Sequence, residues 1–246
     1  MCDCINFVRV IEKTKGSGNI LCAKRIFDDT ESKTKLTDEV MIPIENIKGR
    51  VIMKIRQQNQ IKLFLINEFG KDKGSALFKK QEIRLNEIIE GTKNKSENQM
   101  KTLIQTILPR IALYQVLLES KLSKDDIKEF MRKYMLDVVA AKKHNSTAKM
   151  EKVPGFYKIY SRIFLKIMRT TDLQKSTQNC GKDYYDITIT KCLWHTACVE
   201  NGCEKLCRLF CDVDDVTYGG LNKIGFSRTK TLGYGGDCCD FHFFKK

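Results

Sequence analysis

The stretch Tyr184-Tyr185-Asp186-Ile187-Thr188-Ile189-Thr190-Lys191-Cys192 decides the fold class. From Asp186 to Thr190 polar and apolar residues alternate, and the run is β-branched, so period and propensity agree on a strand. Downstream the period changes. Val199 to about Val216 reads as one helix, on which Cys203, Cys207 and Phe210 fall at i, i+4 and i+7. Lys223 to Leu232 and Cys239 to Phe244 then read as strands joined by Gly233-Tyr234-Gly235-Gly236-Asp237, a glycine-rich hairpin turn.

Upstream, helical spacing dominates. Leu63, Ile66, Phe69, Leu77, Ile83 and Ile88 recur every three to eight residues, with Gly70 to Gly74 dividing two helices and Gly91 to Asn98 reading as a loop. Leu103, Ile107, Ile111 and Tyr114 mark the clearest helix, which ends at Ser120 to Ser123. Ser123, with Asp125 and Asp126 behind it, then caps a further helix carrying Phe130, Tyr134 and Val138. Beyond the polar stretch His144 to Lys152 and the breaker Val153-Pro154-Gly155, Phe156 to Met168 reads as another amphipathic helix. Helices first, then strand, helix and hairpin, is an α+β pattern: a helical part packed with a small antiparallel sheet. The expected organisation is an extension of unknown role at 1–49 and one domain at 50–246. Within that domain 50–180 is mainly helical and 181–246 is a cysteine-rich strand-helix-hairpin.

With 246 residues, 42% of them hydrophobic and 30% charged, the chain has the composition of a protein with a core. Eleven cysteines cannot all pair, and Met1-Cys2-Asp3-Cys4 shows no basic segment ahead of an apolar run. Free thiols and a cytoplasmic location are therefore the expectation. The most apolar long window, Leu103 to Leu118, is interrupted by Pro109 and Arg110 and is shorter than the roughly 20 residues of a spanning helix, so no membrane segment is expected. Eight cysteines crowd Cys180 to Cys239. Residues 181–246 hold nine Lys/Arg and nine Asp/Glu, so the whole formal charge of +14 lies in residues 1–180. Such a charge invites nucleic acid, but no recognised motif accompanies it. A lysine-rich solvated helical surface is the plainer reading, with no specific nucleic-acid partner expected and a homo-oligomer left open.

Candidate chemistry gathers at the ends of the C-terminal elements, where pockets form. Cys192 ends the first strand; Cys211, Asp212, Asp214 and Asp215 lie late in the helix; Arg228 and Thr229 sit in the next strand; Cys239 and Asp240 open the last. Four segments, 190–194 (Thr-Lys-Cys-Leu-Trp), 204–212 (Glu-Lys-Leu-Cys-Arg-Leu-Phe-Cys-Asp), 226–232 (Phe-Ser-Arg-Thr-Lys-Thr-Leu) and 235–241 (Gly-Gly-Asp-Cys-Cys-Asp-Phe), resemble the L-2-amino-thiazoline-4-carboxylic acid hydrolase family. Residues 108–114 (Leu-Pro-Arg-Ile-Ala-Leu-Tyr) are similar to that family's central helix. The resemblance covers about residues 50–246. The closing Gly-Gly-Asp and Cys-x-Phe also look like the end of 4-vinyl reductase domains, which share an α+β fold with TRAPP subunits.

The resemblance implies hydrolytic opening of a small cyclic amidine toward a carbamoyl-cysteine. That chemistry needs a nucleophile or activated water, a proton donor and a cation for the substrate carboxylate. Cys192 and Cys211 are the nucleophile candidates, and Asp214 and Asp215, with Asp212, are candidates for base or amidinium partner. Arg228 is the candidate carboxylate clamp, and Thr229, Cys239 and Asp240 complete the substrate-binding set. No metal or cofactor is expected. A zinc site from Cys192, His195, Cys198, Cys238 and Cys239 has suitable ligand types but no clean Cys-x-x-Cys pair. Cys198, Cys203 and Cys207 read as core fillers, His144 and His242 as incidental. Arg228 also admits a structural role as partner of a neighbouring carboxylate, and Asp240 one as partner of Arg228 or of turn amides. The alternative function is a small-ligand-binding or sensory module without turnover.

Overall fold

The computed structural model describes residues 55–246; the readings placed on residues 1–54, including the 1–49 extension and Cys2, Cys4 and Cys22, lie outside the described residues. The chain runs α1 (Arg56–Phe69), α2 (Lys71–Gly91), α3 (Glu97–Thr102), a π-helical turn (Leu103–Ile107), α4 (Leu108–Leu118) and α5 (Lys124–Arg132). A second π-helical stretch (Lys133–Ala140), α6 (Ala141–Met150), α7 (Phe156–Thr170), β1 (Gln174–Cys180) and β2 (Tyr184–Cys192) follow. The chain closes with α8 (Leu193–Glu200), α9 (Glu204–Tyr218), β3 (Ile224–Ser227), a 3-10 turn (Leu232–Tyr234) and β4 (Cys239–Lys245). The class is α+β, with a four-stranded antiparallel sheet in the order β1-β2-β4-β3. No helix among the described residues is long and apolar enough to cross a membrane. The described residues divide into two compact units, one of residues 55–131 with Leu193–Leu206, the other of Arg132–Cys192 with Cys207–Lys246.

In the helical unit, Gly70 at φ 78° breaks α1 from α2 as its sequence suggests. Gly74 has a different task. A Cβ there would lie 2.6 Å from the Ile66 Cα and the Leu65 carbonyl oxygen, so glycine lets the two helices touch backbone to backbone. Gly74→Ala is expected to destabilise the protein by about 1–2 kcal/mol, because overpacking outweighs the better helix propensity of alanine. A thermal melt checks it, and an unchanged or raised midpoint would refute the close approach. Pro109 cannot supply the N–H that the Gln105 carbonyl would take in a helix; Gln57 Nε2 donates to that carbonyl instead, at 2.8 Å. Gln58 and Gln81 bond each other reciprocally at 2.8 and 3.0 Å, and Gln81 also donates to the Pro109 carbonyl at 3.0 Å. Phe64 and Phe69 pack on Phe130 with ring centroids 4.9 and 5.0 Å apart.

In the mixed unit, Tyr185, Ile187 and Ile189 of β2 and Phe241 and Phe243 of β4 are buried on one face of the sheet, as the alternation requires. Phe164 of α7 meets Phe243 at 5.2 Å, and Tyr218 of α9 meets it edge-on at 4.9 Å; Tyr160 donates its hydroxyl to that of Tyr218 at 3.1 Å. Glu151, buried after α6, accepts the backbone amides of Asn222 (3.0 Å) and Lys223 (2.6 Å) and so anchors the entry to β3.

Three readings need correction. Strand β1 lies inside the segment expected to be mainly helical, in which the sequence reading places no strand. Its sequence, Gln-Lys-Ser-Thr-Gln-Asn-Cys, has no apolar alternation because it is an edge strand with no fully buried residue. The helix read from Val199 to Val216 is two helices. Gly202, at φ 63°, ends α8 in a Schellman arrangement, with Cys203 N–H on the Cys198 carbonyl (2.7 Å) and Gly202 N–H on the Val199 carbonyl (3.1 Å). The strand read from Lys223 to Leu232 stops at Ser227, so β3 and β4 are joined by an eleven-residue connection containing a 3-10 turn and not by a tight hairpin.

Candidate functional site

Helix α9 and the β3–β4 connection bring seven of the eight site candidates together within the mixed unit. Its centre is Arg228, just beyond β3 rather than inside it, with a side chain only 9% exposed. Arg228 Nη2 donates to Asp215 Oδ2 at 2.5 Å and lies 3.8 Å from Asp212 Oδ1. One guanidinium thus serves two carboxylates from the same helix. Asp215 keeps half of its side chain exposed, whereas Asp214 is 1% exposed and faces inward. Burial raises the pKa of Asp215 above the ordinary carboxylate value, against the lowering pull of Arg228.

Asp240, at the start of β4, shapes the connection. It accepts the Thr229 amide (2.9 Å), the Thr229 hydroxyl (2.5 Å) and the Lys230 amide (2.8 Å). Burial pushes its pKa up, but the Thr229 hydroxyl and the two amides outweigh that, and the net shift is downward. Asp240 and Thr229 therefore hold each other and set where the chain leaves Arg228.

Beneath the connection lie thiols. A Cβ on Gly233 would fall 2.7 Å from Cys211 Sγ and 3.1 Å from Cys207 Sγ, so this glycine permits the loop to close on the sulfurs. Leu232 N–H donates to Cys239 Sγ at 3.4 Å. Hydrogen bonding with Cys207, then burial, pushes the Cys211 thiol far up; burial pushes Cys239 up to about 11. Both are protonated near neutrality, the opposite of the depressed pKa that marks a reactive thiolate. Cys203, Cys207 and Cys198 are buried, in keeping with core roles.

Cys192, the eighth candidate, is buried at the end of β2 opposite Gln174 of β1, three residues beyond the last β2–β4 pair, Ile189 with Cys239. Among the described residues no group of three or more His, Cys, Asp or Glu side chains is placed to hold a metal ion. His242 is less incidental than its sequence context suggests: its Nδ1 lies 2.6 Å from Asp186 Oδ1 across the sheet.

Two residues that the sequence did not mark also belong to the cluster. Tyr234, in the 3-10 turn and 53% exposed, donates its hydroxyl to Asp212 at 2.8 Å. Burial and that hydrogen bond push its phenol up to about 12. The Arg208 guanidinium lies over its ring, 5.3 Å from the centroid. Neither was legible in advance, because their contact depends on the path of the connection and not on any local spacing. Elsewhere, a polar cleft of about 490 Å³ in the helical unit is lined by Arg84, Glu87, Lys93, Gln115, Glu200 and Asn201 among others, and it holds none of the site candidates.

Comparison with protein-family models matches residues 97–243 to the model described as L-2-amino-thiazoline-4-carboxylic acid hydrolase. No curated protein and no solved structure matched.

Proposed function

Because the chain belongs to the L-2-amino-thiazoline-4-carboxylic acid hydrolase family, we propose that it hydrolyses a small cyclic amidine such as 2-amino-thiazoline-4-carboxylate to a carbamoyl-cysteine. Water adds to C2, the amidine carbon, and the C2–S bond of the tetrahedral adduct breaks. The sulfur leaves as the thiol, taking one proton, and C2 becomes the carbonyl of an N-carbamoyl group.

The observation that carries this reading is the half-exposed Asp215 carboxylate held by the largely buried side chain of Arg228. A carboxylate of raised pKa is suited both to pairing with the amidinium and to taking a proton from the attacking water. We assign Arg228 to orienting Asp215, since its Nη2 is already engaged. Cys211, protonated and buried under Gly233, serves in this reading as packing, and the nucleophile is water. Thr229, Asp240 and Cys239 shape the connection above the helix.

Incubating the purified chain with 2-amino-thiazoline-4-carboxylate and following released thiol tests the proposal. Stoichiometric thiol with a carbamoyl product supports it. Release of amine without thiol would move the cleavage to the C–N bond. Tight binding without turnover would replace the enzyme with a ligand-binding module.

A further inference from the structure

We infer that Arg208 is the residue that takes the substrate carboxylate, which makes the site specific for a cyclic amidine carrying an acid group; this rests on the hydrolase reading above. A 2-amino-thiazoline-4-carboxylate is a zwitterion, with an amidinium on one side of a small ring and a carboxylate on the other. A site for it needs an anion and a cation held apart, each with bonding capacity to spare.

Arg228 does not meet the second need. Its side chain is largely buried and engaged by Asp215 and, more distantly, by Asp212. Its Nη1 makes no hydrogen bond but is itself buried, so a third carboxylate could reach this guanidinium only by displacing what covers it. Arg208 does meet it. It lies one helical turn before Asp212 and about two turns before Asp215, and it is exposed. Among the described residues its guanidinium has no carboxylate partner, only the face of Tyr234. A guanidinium over an aromatic face makes no hydrogen bond there, so its N–H groups stay available to grip a carboxylate with both oxygens. The ring contact also restricts the side chain beforehand, which reduces the entropy lost on binding.

Tyr234 fixes this arrangement from the other side. Its hydroxyl is tied to Asp212, so the ring bridges the cationic and anionic parts of the helix surface. A ligand with its carboxylate on Arg208 therefore extends toward Asp212 and Asp215 with its amidinium end. The same geometry disfavours amidines without an acid group, which leave the Arg208 fork unpaired, and dicarboxylates, whose second acid would meet Asp215.

The test compares 2-amino-thiazoline-4-carboxylate with 2-amino-thiazoline, the same ring without the acid, on wild type, Arg208→Met and Arg208→Lys. Wild type is expected to favour the acid by about 10- to 100-fold in kcat/KM, the scale of one charge-assisted bidentate contact. Arg208→Met should lose that preference, with kcat/KM falling far more for the acid than for 2-amino-thiazoline, and Arg208→Lys should retain part of it. Because the side chain is exposed, the melting temperatures should stay close, so a lost preference cannot be ascribed to unfolding. If wild type turns over the acid and Arg208→Met keeps the full preference, Arg208 is overturned and the hydrolase reading stands. If wild type acts on neither compound, the hydrolase reading fails and takes this inference with it.

Discussion

Arg228→Ala is expected to lower unfolding free energy near neutrality by about 2–3 kcal/mol, a large effect for a polar side chain. Removing one partner of a fully buried pair costs about 3–5 kcal/mol, because the other charge is stranded; Asp215 is half exposed, so water recovers part of that. The penalty should depend on pH in a definite direction. Asp215 already has a folded-state pKa above the ordinary carboxylate value, with burial the largest cause and Arg228 opposing it. A group raised in the folded state contributes stability that is fully present below its unfolded pKa and is lost as pH rises through the folded one. Without Arg228 that folded pKa rises further, so the variant loses more than wild type between mild acid and neutrality. Denaturant midpoints measured at both should show the gap narrowing in acid. A gap of constant size would mean that packing, and not charge, is what Arg228 supplies.

How much of this was readable beforehand depends on whether a residue's role is local. Strand β2 was legible because one face is buried and its period follows from that face. Strand β1, polar and at the sheet edge, carries no such imprint. The α8–α9 break was missed because cysteine and leucine continue the helical spacing across Gly202, and a single glycine is a weak stop signal. In the site, residue types near Arg228 were legible and partners were not. Of the two structural partners the sequence offers Asp240, Arg228 and the turn amides, it takes the amides, while Arg228 pairs with α9 carboxylates thirteen and sixteen residues back. Tyr234 falls in the segment that reads as a hairpin turn and Arg208 in the one that reads as a helix from Val199 to Val216, and nothing in either marks them as site candidates. Their contact arises only when the eleven-residue connection folds over α9, a tertiary event with no sequence period.

Asp215→Asn is expected to lower kcat on 2-amino-thiazoline-4-carboxylate by about 10²- to 10⁴-fold, the usual contribution of a positioned general base. Asparagine keeps the shape and can still accept from Arg228, so folding should survive; what is lost is the proton acceptor and the charge facing the amidinium. The pH profile separates this from a structural defect. In wild type, kcat/KM should fall on the acid side as Asp215 takes up a proton, with a midpoint above the roughly pH 4 of an unperturbed carboxylate, because burial raises it. In Asp215→Asn that limb should disappear from the residual rate. Asp214→Asn supplies the contrast. At 1% exposure this carboxylate cannot meet substrate without rearrangement, so its replacement should act on stability and leave the acid limb in place. If the limb persists in Asp215→Asn and vanishes in Asp214→Asn, the base lies inside the helix–sheet interface and the site must open to use it.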